Sequence, residues 1–123
     1  MKSFKEYFDT SFEIKITKTN TKVGTTKETF TLLKNGKEAG HIKTSIHPNV
    51  IWLAALYISP EFRNQGLAKK LIQVIIDYYH KPINLRVGAY EDEPLKDDQL
   101  IAFYKKLGFK QIPNMNKYYL RYE

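Results

Sequence analysis

The stretch Arg63-Asn64-Gln65-Gly66-Leu67-Ala68 decides the reading of this chain. The apolar run 50–58 precedes it and ends at Ser59-Pro60, and an amphipathic helical pattern begins within it. That order is strand, tight turn, helix. It aims a row of free backbone N–H groups at whatever lies beyond the strand end, which is a ready anion site. Gly66 has no Cβ to keep a phosphate from the backbone, and Ala68 keeps the next turn slim. Arg63 adds a permanent charge that grips phosphate through two donors.

Composition bounds the rest. The chain has 123 residues, the size of one domain around one core, and 1–123 reads as a single domain. A hydrophobic content of 42% and an aromatic content of 14% suit a packed globule and argue against disorder. There are no cysteines, which excludes disulfides, thiolate catalysis and Cys-based zinc sites; three scattered histidines make no metal cluster. No apolar run approaches the length of a membrane span, and the first residues lack the apolar core of a signal peptide. The expected setting is cytoplasmic. The net charge of +7 reads either as a solvated Lys-rich face or as attraction to a polyanion. No basic run with interleaved aromatics points to nucleic acid.

Along the chain, residues 1–10 read as a short helix capped by Ser3, with Phe4, Tyr7 and Phe8 on one face. Residues 12–16 alternate as a strand, 17–27 read as a Thr/Lys-rich loop, and 29–33 and 38–46 read as two strands. Asn35-Gly36 between the last two is a strong hairpin signal. The strand 50–58 is apolar on both faces, which predicts a central strand covered on both sides. A helix over 66–79 places Leu67, Leu71, Val74, Ile75 and Tyr78 on one stripe, and Pro82 stops it. A strand over 83–87 follows, then an acidic loop. Asp97 or Asp98 is the expected cap of a helix ending at Gly108. Two short strands, 109–112 and 117–122, close the chain.

The turn resembles the pyrophosphate-binding loop of the GNAT family of N-acetyltransferases, Gln/Arg-x-x-Gly-x-Gly/Ala. Arg63, Gly66 and Ala68 fill its fixed positions. A second match follows at the family's usual distance: Ala102-Phe103-Tyr104-Lys105-Lys106-Leu107-Gly108-Phe109 looks like its late helix and Tyr-x-x-x-Gly-Phe ending. The resemblance covers roughly residues 28–123. It implies an α/β acyl-CoA N-acyltransferase fold, about seven strands with two main helices. The family's two helices between its first and second strands have no room here, since about ten residues fill that gap. Those helices usually wall one side of the acceptor site. Their lack implies an open cleft, a wall from a second subunit in a homodimer, or a wall from residues 1–10.

The resemblance also assigns chemistry. Acetyl-CoA is the implied cosubstrate. Arg63, Asn64, Gln65, Gly66, Leu67, Ala68 and Lys69 would hold its pyrophosphate. The family's central strand carries a bulge and splays from its neighbour; the backbone around Tyr57 and Ile58 would pair with the pantetheine arm. Tyr104 is the implied general acid: a phenol of pKa about 10 stays protonated beside a thiol of about 8.5. The other reading is one more core aromatic among nine tyrosines. No carboxylate lies in 50–58 to act as base, and His47 reads as an ordinary turn residue. Glu91, Asp92 and Glu93 sit where acceptors enter. With Asp97 and Asp98 they reverse the charge locally, which favours a cationic acceptor such as a lysine, a peptide amine or a polyamine; a solvated loop reads equally well. The expected activity is acetyl transfer to a primary amine. The alternative is a non-catalytic module on the same fold that binds a protein or nucleic acid.

Overall fold

The computed structural model describes residues 8–20, 25–88 and 95–123. Seven strands form one sheet: β1 (Phe12–Asn20), β2 (Thr26–Lys34), β3 (Lys37–Ile46), β4 (Ile51–Ile58), β5 (Ile83–Arg86), β6 (Lys110–Gln111) and β7 (Tyr119–Tyr122). Two helices, α1 (Leu67–Tyr79) and α2 (Asp97–Lys106), complete it, with a 3-10 turn at Pro60–Phe62. The spatial order is β1-β2-β3-β4-β5-β7-β6. Every described pairing is antiparallel except β4 with β5.

The first three strands are a meander. Asn35 and Gly36 both take positive φ, 50° and 84°, which suits the tight turn between β2 and β3. β1 runs further than alternation predicts. It pairs with β2 from Phe12↔Lys34 to Asn20↔Thr26, so strand replaces most of the expected 17–27 loop. Only residues 21–25 separate β1 from β2. Residues 1–7 lie outside the described residues, so the expected N-terminal helix does too; Phe8 to Ser11 form a bend and turn before β1.

Both helices lie on the same face of the sheet. α1 crosses from β4 to parallel β5. α2 crosses from β5 to β6, which runs parallel to β5 because β7 is antiparallel to both. Right-handed crossovers in one direction place their helices on one side. The core follows: Phe30, Ile42, Ile51, Leu53, Ile83, Leu85 and Leu120 from the sheet meet Ile72 and Ile75 of α1 and Ile101 and Tyr104 of α2. A second cluster joins Phe8 to Leu32, Ala39, Leu67, Leu71 and Val74. Phe8 therefore packs on the helix-covered face and supplies no wall on the other one.

The C-terminal end of α1 is fastened by a polar network. Glu28 is buried, and its carboxylate accepts hydrogen bonds from Tyr79 (2.9 Å) and Tyr78 (3.4 Å). The Tyr79 hydroxyl also lies 2.6 Å from the Thr44 hydroxyl. Burial pushes the Tyr79 phenol well above its ordinary range; the Thr44 bond opposes this and the Glu28 carboxylate adds to it.

The central strand departs from expectation. β4 is central, but no described element covers its second face. Trp52 and Tyr57 on that side are only half-buried, and each has a ring neighbour instead of a helix: Tyr119 at 6.4 Å and His41 at 5.8 Å. Among the described residues no helix is long and apolar enough to cross a membrane.

Candidate active site

The cleft begins where two parallel strands part. β4 pairs with β5 only from Ile51↔Ile83 to Leu53↔Leu85. On its other edge β4 steps from Thr44↔Leu53 to Lys43↔Ala55, so Ala54 is an extra, bulged residue. A bulge bends its strand and raises its twist. Beyond it β4 swings away from β5, and its backbone has no strand partner on that side among the described residues. The gap is a cleft of about 360 Å³. Residues Leu53, Ala54, Ala55, Leu56 and Ile58 line one wall, and Leu85, Arg86, Val87 and Gly88 line the other.

At the end of β4 the chain makes the turn into α1. Pro60 opens the 3-10 turn, and the Arg63 Nε–H donates to the Ile58 carbonyl at 2.9 Å. Arg63 thus ties the turn together, with its guanidinium 5.4 Å from the Tyr57 ring centre. Asn64 (φ 64°) and Gly66 (φ 75°) are both left-handed. Gly66 is the N-cap of α1, and no side chain caps this helix. The first internal bond runs from the Lys70 N–H to the Gly66 carbonyl. Helix geometry leaves the N–H groups of Leu67, Ala68 and Lys69 without intrahelical acceptors. No acid lies in this turn, so the positive end of the helix dipole is unopposed there. A Cβ at Gly66 would meet no atom within 4 Å, since the position faces open space at the cleft.

The third side of the cleft comes from α2, through Leu100, Phe103 and Tyr104. Lys96, one residue before the expected aspartates, takes the N-cap position, and its N–H donates to Gln99 Oε1 at 2.9 Å. Asp97 and Asp98 sit in the first turn, where the dipole favours acids. Asp98 also reaches Lys117 at 3.1 Å. The helix ends in a Schellman cap. The Phe109 N–H donates to the Tyr104 carbonyl (3.1 Å) and the Gly108 N–H to the Lys105 carbonyl (3.1 Å), with Gly108 at φ 106°. The hydrophobic contact that accompanies this cap is the Tyr104–Phe109 ring pair, 5.6 Å apart. The motif Tyr-x-x-x-Gly-Phe is therefore a helix stop. Its tyrosine is buried to 8% exposure at the cleft by the cap that its own carbonyl closes.

The expected site residues fall into three groups. Ile58, Arg63, Asn64, Gly66, Leu67, Ala68, Lys69 and Tyr104 line the cleft together. Tyr57 and Gln65 are not in its lining: Tyr57 points to the opposite sheet face, and Gln65 is exposed in the turn. The expectation at Tyr57 concerns its backbone, which lies past the bulge at Ala54, where β4 has already parted from β5. The small pair Ala54-Ala55 in a bulky strand was the available signal. Glu91, Asp92 and Glu93 lie outside the described residues. His47 sits in the β3–β4 turn with Nε2 3.1 Å from the Ser45 hydroxyl, and Glu61 pairs with Lys37 at 2.6 Å. The sequence reading missed Arg86 and Gly88, which line the cleft from β5 and the residues after it, and Leu95, Leu100 and Phe103, which line it from α2 and just before it.

Comparisons agree with this geometry. Residues 2–109 match the acetyltransferase (GNAT) family. N-alpha-acetyltransferase 30 of Schizosaccharomyces pombe is 29% identical over 99 residues, which cover 74% of this chain and 63% of that protein. The PaiA N-acetyltransferase of Thermoplasma acidophilum, solved with coenzyme A, superposes with a TM-score of 0.57 at 20% identity, over 76% of this chain and 57% of that one. The anti-CRISPR protein AcrVA5 does so with a TM-score of 0.57 at 19% identity, over 69% and 90%. At these identities the two structures show the fold alone. The sequence match over most of its length, on the seven-stranded sheet with its splayed central pair, makes this chain a member of the GNAT acetyltransferase family.

Proposed function

We propose that the chain transfers acetyl from acetyl-CoA to a primary amine: a lysine, a peptide amine, a polyamine or another small amine. The observation that carries this is the continuity of the cleft, from the parted backbone of β4 to the uncapped N-terminus of α1. The residues present fit the cosubstrate. The N–H groups of Leu67, Ala68 and Lys69 and the open side of Gly66 suit a pyrophosphate. On its β5 edge the backbone of β4 beyond Leu53 has no strand beside it among the described residues, which suits an amide-bearing arm.

Acetyl-CoA, when bound, supplies the acetyl group as an activated thioester. The chain's own part is to position, to offer N–H donors from β4 toward a developing oxyanion, and to keep a phenol proton at the cleft on Tyr104. The Schellman cap and the ring contacts to Phe103 and Phe109 fix that phenol's ring. The acceptor must attack as a neutral amine, and Glu91, Asp92 and Glu93 remain the candidates to receive its proton or attract its cation. The relative named as an N-alpha-acetyltransferase supports a peptide amine within this range. Mass spectrometry on a peptide with one free α-amine and one lysine tests it. Acetylation of either amine, dependent on the protein, is expected. No acetylated product from this peptide, from spermidine or from free lysine would refute the reading.

A further inference from the structure

The sheet face turned away from the helices carries a row that no stretch of sequence reveals. Consecutive pairings run Lys27↔Ser45, Ser45↔Trp52, Trp52↔Asn84, Asn84↔Arg121 and Arg121↔Lys110. This single transverse row crosses six strands, or roughly 24 Å at about 4.8 Å per strand. It has cations at both ends and the chain's one tryptophan in the middle. Lys43 and Arg86 lie beside it on the same face, and Lys27, Lys43, Arg86 and Lys110 are all exposed. Among the described residues the acids on this face are Glu13, Glu38 and, just past β7, Glu123. Glu38 is 3.1 Å from His41; Glu123 is 3.7 Å from Arg121, whose Nε–H donates to Asn84 Oδ1 at 2.7 Å, so this arginine is already engaged within the row.

We propose that this row is a track for a single-stranded nucleic acid segment. Lys27, Lys43 and Lys110 take phosphates, and Trp52, set edge-to-face against Tyr119, offers a ring to a base. Charge selects the occupant. A second copy of the chain would bring the same cations against these and is repelled. An aromatic ring amid the cations selects a strand with unstacked bases, because a duplex hides its base faces. The row lies where β4 and β5 are still paired, before the cleft opens, so the inference does not rest on the acetyl-transfer reading.

The test uses Trp52 as its own reporter, because no other tryptophan contributes emission. The protein is titrated with a 12-nucleotide oligo-dT, the corresponding duplex, heparin, and vesicles of phosphatidylcholine with phosphatidylserine. The expected result is indole quenching by the single strand, at lower concentration than by any other probe. Its log–log salt slope should be about −2, at roughly 0.7 per phosphate contact for three lysines. Lys27→Glu, Lys43→Glu and Lys110→Glu together should weaken anisotropy-detected binding at least about tenfold, with an unchanged circular-dichroism melt. Trp52→Phe, which keeps a ring, should weaken it less than Trp52→Ala. Absence of quenching by oligo-dT at low salt would overturn the proposal, as would equal binding by the charge-reversed variant. Tighter binding to duplex, heparin or vesicles would overturn it too, leaving the face a general polyanion or membrane contact.

Discussion

Gly66 separates folding from cofactor binding in one position. Its φ of 75° is left-handed, and a Cβ there would meet nothing within 4 Å. Gly66→Ala therefore carries the backbone cost alone, about 1–2 kcal/mol. For 123 residues the unfolding entropy is roughly 260 cal/mol/K, which turns that cost into a Tm loss of about 4–8 °C. Gly66→Glu has the same backbone cost, but its carboxylate would sit at an uncapped helix N-terminus with no acid in the first turn. The dipole returns a few tenths of a kcal/mol, so the glutamate variant should melt no lower than the alanine variant. Its carboxylate then fills the place of the pyrophosphate. Acetyl-CoA at about 100 times its Kd stabilises by about 2.7 kcal/mol, roughly 10 °C here. Differential scanning calorimetry with and without acetyl-CoA should show that full shift in wild type, a reduced shift in Gly66→Ala and almost none in Gly66→Glu. A wild-type shift in Gly66→Glu would refute the phosphate assignment of this turn.

Three further outcomes are expected. Tyr104→Phe keeps the Schellman cap and both ring contacts, so its Tm should stay close to wild type while kcat falls roughly tenfold to a thousandfold; wild-type kcat would remove the acid role. Changing Glu91, Asp92 and Glu93 to Gln, Asn and Gln should raise KM for a cationic acceptor and leave acetyl-CoA affinity nearly intact; equal KM would leave them a solvated loop. Tyr79→Phe removes the hydroxyl that bonds Glu28 and Thr44 and should cost about 1–3 kcal/mol at neutral pH. The folded Tyr79 pKa lies above the unfolded value of about 10, so the unfolded chain releases this proton first and wild-type stability falls as pH rises past about 10. Denaturant melts from pH 8 to 11 should show the gap between wild type and Tyr79→Phe narrowing upward; a gap that widens would contradict the network.

What the sequence made legible was local. Arg63 to Ala68 and Tyr104 to Phe109 are each a turn whose residues dictate its geometry, so their places followed from the motif. Asn35-Gly36 set its hairpin for the same reason. What depended on distant partners was hidden. β1 continues to Asn20 through lysines and threonines because an edge strand exposed along most of its length has no need to be apolar. The apolar second face of β4 looked like burial under a helix, yet Trp52 and Tyr57 rest on Tyr119 and His41, which are far away in sequence. The position of the bulge at Ala54 was not legible because register belongs to the pair of strands, and one strand alone does not state it. The row from Lys27 to Lys110 takes one residue from each of six strands, so no window along the chain contains it.

The central claim is acetyl transfer to an amine through this cleft, and thiol release tests it most directly. Purified protein with acetyl-CoA is given a lysine peptide, a peptide with only its α-amine free, spermidine and a small primary amine, and free coenzyme A thiol is measured against an amine-free control. Amine-dependent thiol release is expected to saturate for at least one acceptor, to rise with pH as the amine loses its proton, and to drop in Gly66→Glu. Thiol release at the amine-free rate with every acceptor would contradict it.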